Sequence, residues 1–472
     1  MSDNNEQVRK PEFLAKLMFG RRMIFTSADK ITVQNVSNVV GQAYITHLLN
    51  RGEIEYLYDY YKGKQPSLFR VREVRNELTK RICENRANEI VSFKTGYVAG
   101  KPITYVSSTA GDEISKAIGK LNDAMRIIGK HTKDKELIEW QMICGQGYRY
   151  VVQDNKRSVP FNLYTLDPRN TFVIRRNDYS KEVVAGVNYV TDENQNVTFT
   201  VYTEDSVFRF VQDGNPSVEQ NIFGLIPIIE YPANNARLGC FEIVLTMLDA
   251  INDFDCARNE AVEQFVQSLL VLYNCQVDEG TTADTIRAAG MILLKTVGDA
   301  KADIKILAEQ LDQSQNQTLK DDMYNSVLQI VGVPSQSASG TADSSNNGAV
   351  VLKNGWQGAE TRATEFEAMF KLPEMEMLQV VNRICSVLRN GVYAFDPETV
   401  EIKFTRRNYE DILSKSQTLT TMLANDKIHP QKAYEASGLF VDTEEAYQMG
   451  MEWFKEHSQQ TEQPVSQVVV DA

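Results

Sequence analysis

From Phe241 to Leu272 the chain contains neither proline nor glycine. Its apolar residues Val244, Met247, Leu248, Ile251, Phe254, Val262, Phe265, Leu269 and Leu272 recur mostly at steps of three and four, which sets them on one stripe of a helix. At ~1.5 Å per residue that helix would reach roughly 48 Å, more than one small domain needs to cover its core. A compact α/β excursion over Gln276–Ala308 follows, then a second helical segment, Leu311–Val331, stopped by Gly332 and Pro334. The chain is expected to go out along one rod, turn through a small knob and return along another. That is a shaft, not the wall of a pocket.

With 472 residues there is room for two or three domains besides this shaft. The net charge is −13, whereas a protein that grips nucleic acid by its phosphates carries a basic excess or a dense basic stripe. The basic pairs Arg21–Arg22, Arg175–Arg176 and Arg406–Arg407 read as solvated or ion-paired surface pairs. Six cysteines with no C-x-x-C spacing suit a reducing compartment, with thiols serving as small core residues. The polar start lacks a signal-peptide apolar region, and no stretch is long and apolar enough to span a membrane. The expectation is a protein made in the cytosol, without a membrane partner.

Around the shaft, helical patterns cover Val36–Tyr61, Leu78–Gly96 and Asp112–Met142. The tyrosines Tyr56, Tyr60 and Tyr61 suit packing against a neighbouring helix or subunit better than base stacking. Short strands at Tyr148–Gln153, Phe161–Leu166, Thr171–Arg175, Val183–Val190, Val197–Thr203 and Ser206–Val211 predict a mostly antiparallel sheet. Asn221–Asn235 is extended, because Pro227 and Pro232 forbid helix. Beyond Pro334 a Ser/Gly/Asn-rich run has no large apolar side chain and reads as a mobile loop. A helix over Ala349–Leu388 follows, bent or restarted at Pro373, then a strand at Val400–Thr405 and a mostly helical end.

Catalytic motifs are absent: no phosphate loop, no H-E-x-x-H, no G-x-S-x-G. His47, His131, His429 and His457 are scattered, and each reads as a surface or capping residue. The one enzyme-like cluster is Asp249, Asp253 and Asp255, which could hold Mg²⁺ in a nuclease. The competing reading is the polar face of the rod. With Glu242, Glu260 and Glu263 that face is predominantly acidic, and lining a channel it would repel phosphate.

Three segments, in this order, resemble the portal proteins of tailed double-stranded DNA bacteriophages, in the branch common in long-tailed phages. The first is YYKGKQP followed by NELTKRICENRANEIVSFKTGYVAGKPITY. The second is FGLIPIIEYPANNARLGCFEIVLTMLDAINDFDCARNEAVEQF. The third is NNGAVVLKNGWQGAETRATEFE, after a G-V-P helix stop. One junction departs from the family pattern: Asn347, Gly348, Ala349 and Val350 stand where Ser-Gly-Ala-Leu is common.

The resemblance implies an α+β portal fold. Its parts would be an N-terminal arm (1–28), a wing of helices and mostly antiparallel sheet (29–236), stem helices (237–270 and 311–334) and a small α/β clip (271–310). A tunnel loop (335–348), a long spine helix with a wing strand (349–407), a helical crown (408–458) and a flexible tail (459–472) complete it. It implies a ring of twelve copies at one capsid vertex, with double-stranded DNA on its axis. It implies the large terminase subunit, a neck or head-completion protein, and the major capsid and scaffold proteins as partners.

By the same resemblance the DNA-facing tunnel loop holds Ser335, Gln336, Ser337, Ser339, Gly340, Thr341, Asp343, Ser344, Ser345, Asn346 and Asn347. Lys353 just beyond is its nearest cation, or else a surface lysine on a helix start. The acidic stem face would carry Glu242, Asp249, Asp253 and Glu260. The clip, with Tyr273, Gln276, Asp278, Lys295, Lys301 and Lys305, would dock the motor and neck and pair strands between subunits. No catalytic residue, metal or cofactor is implied. A Mg²⁺-dependent nuclease and another ring-forming neck or connector component are the alternatives, and length argues against the latter.

Overall fold

The computed structural model describes residues 20–71, 79–109, 111–154, 158–212, 214–266, 269–273, 275–276, 295–296, 303–307, 313–334, 355–388, 393–406, 412–440 and 443–458. In chain order the elements are β1 (Phe25–Thr26), α1 (Val36–Tyr61), α2 (Arg86–Val98), β2 (Thr104–Ser107), α3 (Asp112–Ile127) and α4 (Lys130–Cys144). Then come β3 (Gln146–Gln153), β4 (Phe161–Leu166), β5 (Thr171–Arg176), β6 (Val183–Thr191), β7 (Val197–Tyr202), β8 (Ser206–Val211), β9 (Ser217–Gln220) and β10 (Ile228–Pro232). They are followed by α5 (Leu245–Val266), β11 (Leu269–Tyr273), β12 (Cys275–Gln276), β13 (Lys295–Thr296), β14 (Asp303–Leu307) and α6 (Gln313–Val331). The chain continues with α7 (Trp356–Val387), β15 (Val400–Lys403), α8 (Ile412–Leu423), α9 (Pro430–Ser437) and α10 (Thr443–Ser458). Two compact units result, one drawn from Met18–Lys62, Ala87–Ile243 and Leu328–Ala472, the other including Gly63–Arg86 and Val244–Val327.

In the first unit a six-stranded sheet has the order β1-β5-β6-β7-β8-β9, antiparallel except for β1 with β5. Residues two apart on a strand share a face, and Val197, Phe199 and Val201 of β7 accordingly point into one core with Phe172, Val187 and Phe208. Val36, Val40 and Ala43 of α1 complete that core. One turn further along α1, His47 is buried and stacked on Phe172 at 4.6 Å between centroids. The surface position expected for it is corrected. His429, in contrast, caps α9 by accepting the Gln431 N–H.

A second sheet, β10-β3-β4, lies against α7, where the Tyr231 and Phe370 rings stand 5.0 Å apart. Charge is buried there. Glu374 accepts hydrogen bonds from Tyr105 (2.6 Å) and Tyr231 (2.8 Å) and pairs with Lys130 at 2.8 Å. Asp134 pairs with Lys130 and Arg149, at 2.6 Å each. Two carboxylates and two cations cancel, which makes burial of all four tolerable. Burial would raise Glu374, but Lys130 and Arg149 hold its carboxyl at about 2.

Several boundaries differ from the expectations, each for a local reason. Asp112–Met142 is two helices separated at Gly129, which sits at φ +69°. The helix around Pro373 is assigned unbroken from Trp356 to Val387, although proline removes one ladder hydrogen bond. The next residue, Glu374, is the one its partners pin. The long rod ends at Val266, so α5 has 22 residues and a length of about 33 Å. Leu269 to Tyr273 leaves the helix to pair antiparallel with Leu307 to Asp303, as suits a β-prone run.

The helix expected over Leu78–Gly96 starts later among the described residues. Residues 79–85 are non-helical and α2 starts at Arg86, after Asn85 at φ +46°. Asparagine tolerates that left-handed conformation, which a continuing helix cannot contain. The basic pairs are ion-paired, but Arg21 is no surface residue: it is buried against Glu53 and Glu242. Arg175 meets Glu230 at 2.6 Å, Arg176 meets Glu182 at 3.5 Å, and Arg406 meets Glu360 and Glu367; Arg407 lies outside the described residues. The tyrosines pack as expected, Tyr60 stacking on Phe241 and the Tyr61 hydroxyl donating to Glu139.

Candidate functional site

The polar face of α5 is built for contacts within the protein. Asn252, Cys256 and Glu260 stand one helical turn apart, about 6 Å per step. Backbone N–H groups two residues apart on an extended chain are spaced about 6.7 Å. The two repeats nearly match. Glu84 N–H donates to Asn252 Oδ1 (3.0 Å), Ile82 N–H to Cys256 Sγ (3.3 Å) and Lys80 N–H to Glu260 Oε1 (3.0 Å). An extended segment is thereby bound antiparallel along a helix by side-chain acceptors.

Two members of the predicted acidic face are consequently not on an exposed surface. Glu260 is 2% exposed, and so is Glu242, which precedes α5 and accepts from Gly20 N–H (3.0 Å), Gly239 N–H (2.9 Å) and Arg21. Both are buried acceptors, each satisfying backbone donors that burial would otherwise orphan. Asp249 is half-buried; Asp253 is exposed, with Arg70 3.9 Å away.

Asp255 faces inward, both of its oxygens accepting from Lys320 Nζ of α6 at 2.8 and 2.9 Å. Glu84 accepts from the same ammonium and, at 2.8 Å, from Arg86. Burial would raise Glu84, but hydrogen bonds with Asp255, Lys320 and Arg86 bring it down to about 2, while burial and the Glu84 charge raise Asp255. Two acids and two bases form a balanced cluster. Asp249, Asp253 and Asp255 are not gathered as a metal site, and no such group of three ligands occurs among the described residues.

The proposed clip residues are backbone positions only. Tyr273 pairs with Asp303, and Lys305 with Val271, in the β11–β14 ladder; Gln276 pairs with Lys295 in β12–β13. These ladders form within one chain. Asp278 and Lys301 lie outside the described residues, as do Ser335, Gln336, Ser337, Ser339, Gly340, Thr341, Asp343, Ser344, Ser345, Asn346, Asn347 and Lys353.

The two roots of segment 335–354 are described, and they converge. Gly332 ends α6 at φ +70°, a left-handed turn in which Val333 N–H donates to Leu328 O at 2.9 Å. A Cβ at Gly355, which precedes α7, would stand 3.8 Å from Pro334 Cα. Pro334 and Gly355, the described residues on either side of the segment, therefore stand next to each other.

Aromatic rings hold that point. Trp356 lies 6.0 Å from both Phe93 and Tyr97 of α2, and the Tyr97 hydroxyl donates to Glu360 at 2.7 Å. Beside them is a cavity of about 330 Å³, lined among others by Phe93, Lys94, Met142, Cys240, Arg362 and Phe366. Burial, and then the Arg362 charge, lower the Lys94 pKa; burial pushes the Cys240 thiol up to about 11. Sequence reasoning singled out Lys353 and passed over Lys94. The available signal was a lysine flanked by Phe93 and Tyr97 on an amphipathic helix.

The chain matches the family model described as "Phage portal protein, SPP1 Gp6-like" over residues 44–463. Among solved structures it is similar to the neck of an empty GTA particle computed with C6 symmetry, at 13% identity and a TM-score of 0.43. That match covers 75% of this chain and 90% of the other. The neck of a native GTA particle computed with C12 symmetry gives 14% identity, a TM-score of 0.39 and the same coverage. No curated protein matches.

Proposed function

The chain belongs to the SPP1 Gp6-like family of phage portal proteins, and from that premise we propose that it closes into a ring of twelve copies conducting double-stranded DNA at one capsid vertex. Membership makes it a component of the phage particle. In this reading α5 and α6 are the stem, β11 to β14 belong to the clip, α7 is the spine and α8 to α10 form the crown. The tunnel loop, 335–348, meets DNA. The large terminase subunit and a neck protein dock at the clip in turn, and the capsid and scaffold proteins surround the ring.

The family match across most of the chain carries this proposal. Physical chemistry supports it. A conduit must let a stiff polyanion slide both ways, and each phosphate neutralised by lysine or arginine adds salt-dependent affinity. A chain of net charge −13, with a loop poor in cations, keeps that affinity low. The balanced cluster at Lys320 gives the phosphates no free cation. Among the described side chains of α5, Asp253 is exposed and Asp249 half-buried. Among the described residues no helix is long and apolar enough to cross a membrane.

Native mass spectrometry of the purified protein tests the proposal. A closed ring is expected, and a persistent monomer would overturn it.

A further inference from the structure

Where the extended strap of residues 79–85 lies along α5, a thiol supplies the middle rung. Asn252 and Glu260 hold the strap through oxygen acceptors, at Glu84 N–H and Lys80 N–H. Between them Cys256 Sγ meets both backbone groups of one residue, accepting from Ile82 N–H at 3.3 Å and donating to Ile82 O at 3.6 Å. Sulfur is the weakest acceptor of the three, and the residue after Ile82 is a second cysteine. The Cys83 nitrogen is bonded to the carbonyl carbon whose oxygen the Cys256 thiol meets. One peptide unit spans about 3.8 Å between Cα atoms, and a disulfide joins Cα atoms about 4.4–6.8 Å apart. A sulfur held on the Ile82 peptide is therefore within reach of the next side chain. Both cysteines are free thiols, Cys83 half-buried and Cys256 buried, and both belong to the unit that includes Gly63–Arg86 and Val244–Val327. Burial raises the Cys83 pKa, a backbone hydrogen bond at Asn85 lowers it, and nearby Cys256 raises it again.

We propose that Cys83 and Cys256 form a redox latch, joining as a disulfide when the protein leaves reducing surroundings and fixing the strap to α5. The oxidant is a small-molecule disulfide, of which oxidised glutathione is the type. The thiolate of Cys83, the more exposed of the two, attacks one sulfur of that molecule and expels one glutathione. The Cys256 thiolate then attacks Cys83 Sγ and expels the glutathione bound there. One S–S bond breaks and one forms. Two electrons pass from the protein thiols to the small disulfide, and the two thiol protons end on two molecules of reduced glutathione. A thiol whose pKa is raised holds little thiolate at neutral pH, so the link forms slowly, on a strap that has already docked. A reducing compartment keeps both thiols free, and a particle released from it gains the link. The thiol chemistry itself does not depend on the ring reading.

The full chain, incubated with oxidised or with reduced glutathione and digested without reduction, tests this by peptide mass spectrometry. Under oxidised glutathione a peptide linking Cys83 to Cys256 is expected, two hydrogens lighter than its halves, while the buried Cys144 and Cys385 stay as thiols. Amide exchange at Ile82 should then slow by more than about tenfold, because the link restricts the opened strap. Cys256→Ser keeps an acceptor on the rung, and its exchange should not respond to the oxidant. Free thiols at both positions, or Cys83 keeping glutathione as a mixed disulfide while Cys256 stays free, would overturn the pairing. A link between the Cys83 residues of two copies would overturn it equally. A linked peptide with unchanged exchange would overturn the latch. Linkage in a chain that stays monomeric supports this inference and overturns the ring reading alone.

Discussion

Glu260 Oε1 accepts the backbone N–H of Lys80 at 3.0 Å, two helical turns from the matching bond between Asn252 and Glu84. A residue that looks like part of an acidic channel face is thus the acceptor for an extended segment 180 positions away in the chain. The near-match of the helix repeat to the strand repeat makes three successive bonds possible.

Removing an acceptor orphans a donor. Asn252→Leu leaves the Glu84 N–H without its partner, at a cost of about 1–3 kcal/mol. Amide exchange at Glu84 should accelerate while exchange in β7 stays unchanged. Equal acceleration in both would assign the effect to global unfolding.

Glu374→Gln leaves Lys130 and Arg149 facing Asp134 as the remaining carboxylate. Breaking a buried pair in this way costs about 3–5 kcal/mol. The urea midpoint should fall accordingly, and a shift no larger than that of an exposed Glu113→Gln would refute the account.

Stability should decline as acid is added, in a window set by His47. Its Nε2–H donates to Arg169 O at 3.1 Å, and among the described residues its buried Nδ1 has no partner, so a second ring proton finds no acceptor there. Burial lowers its pKa from 6.5 to about 4. Below pH 6.5 the unfolded chain takes up a proton that the folded one refuses until about pH 4. Stability is therefore complete above that window and lost downward through it, by about 3 kcal/mol at most. Urea titrations of the wild type and His47→Leu, from pH 7 to 4.5, should differ in slope. Parallel curves would exclude the histidine as the cause.

Gly145 closes α4 at φ +81°, and a Cβ there would lie 2.1 Å from the Arg237 carbonyl oxygen. Gly145→Ala combines a left-handed alanine with a backbone clash, neither of which a rotamer change relieves. A loss of several kcal/mol is expected in thermal or urea unfolding, and a wild-type transition would contradict the close approach.

Deleting 335–348 should spare ring formation, because both roots of the segment are held outside it by Gly332, Pro334 and Trp356. DNA-filled heads, counted by electron microscopy, should become rare. Unaltered packaging would remove the loop from its assigned role.

Much of this architecture was written in local pattern. Period-two alternation located β4 and β8 to the residue, helical spacing located α1 with both ends, and Gly332 with Pro334 marked the close of α6. The ordered segments between Tyr60 and Glu367 carried the family. These signals are local because a strand face or a helix stripe is set by neighbours a few residues apart. Which partner a polar side chain meets depends on segments brought together from far along the chain. Only the tertiary structure decided that Glu242 and Glu260 accept from backbone donors, that Asp255 turns to Lys320, and that Lys94, Arg362 and Glu365 line one cavity. A charge costs little in water and much when buried, so its role is settled by its surroundings and not by its letter.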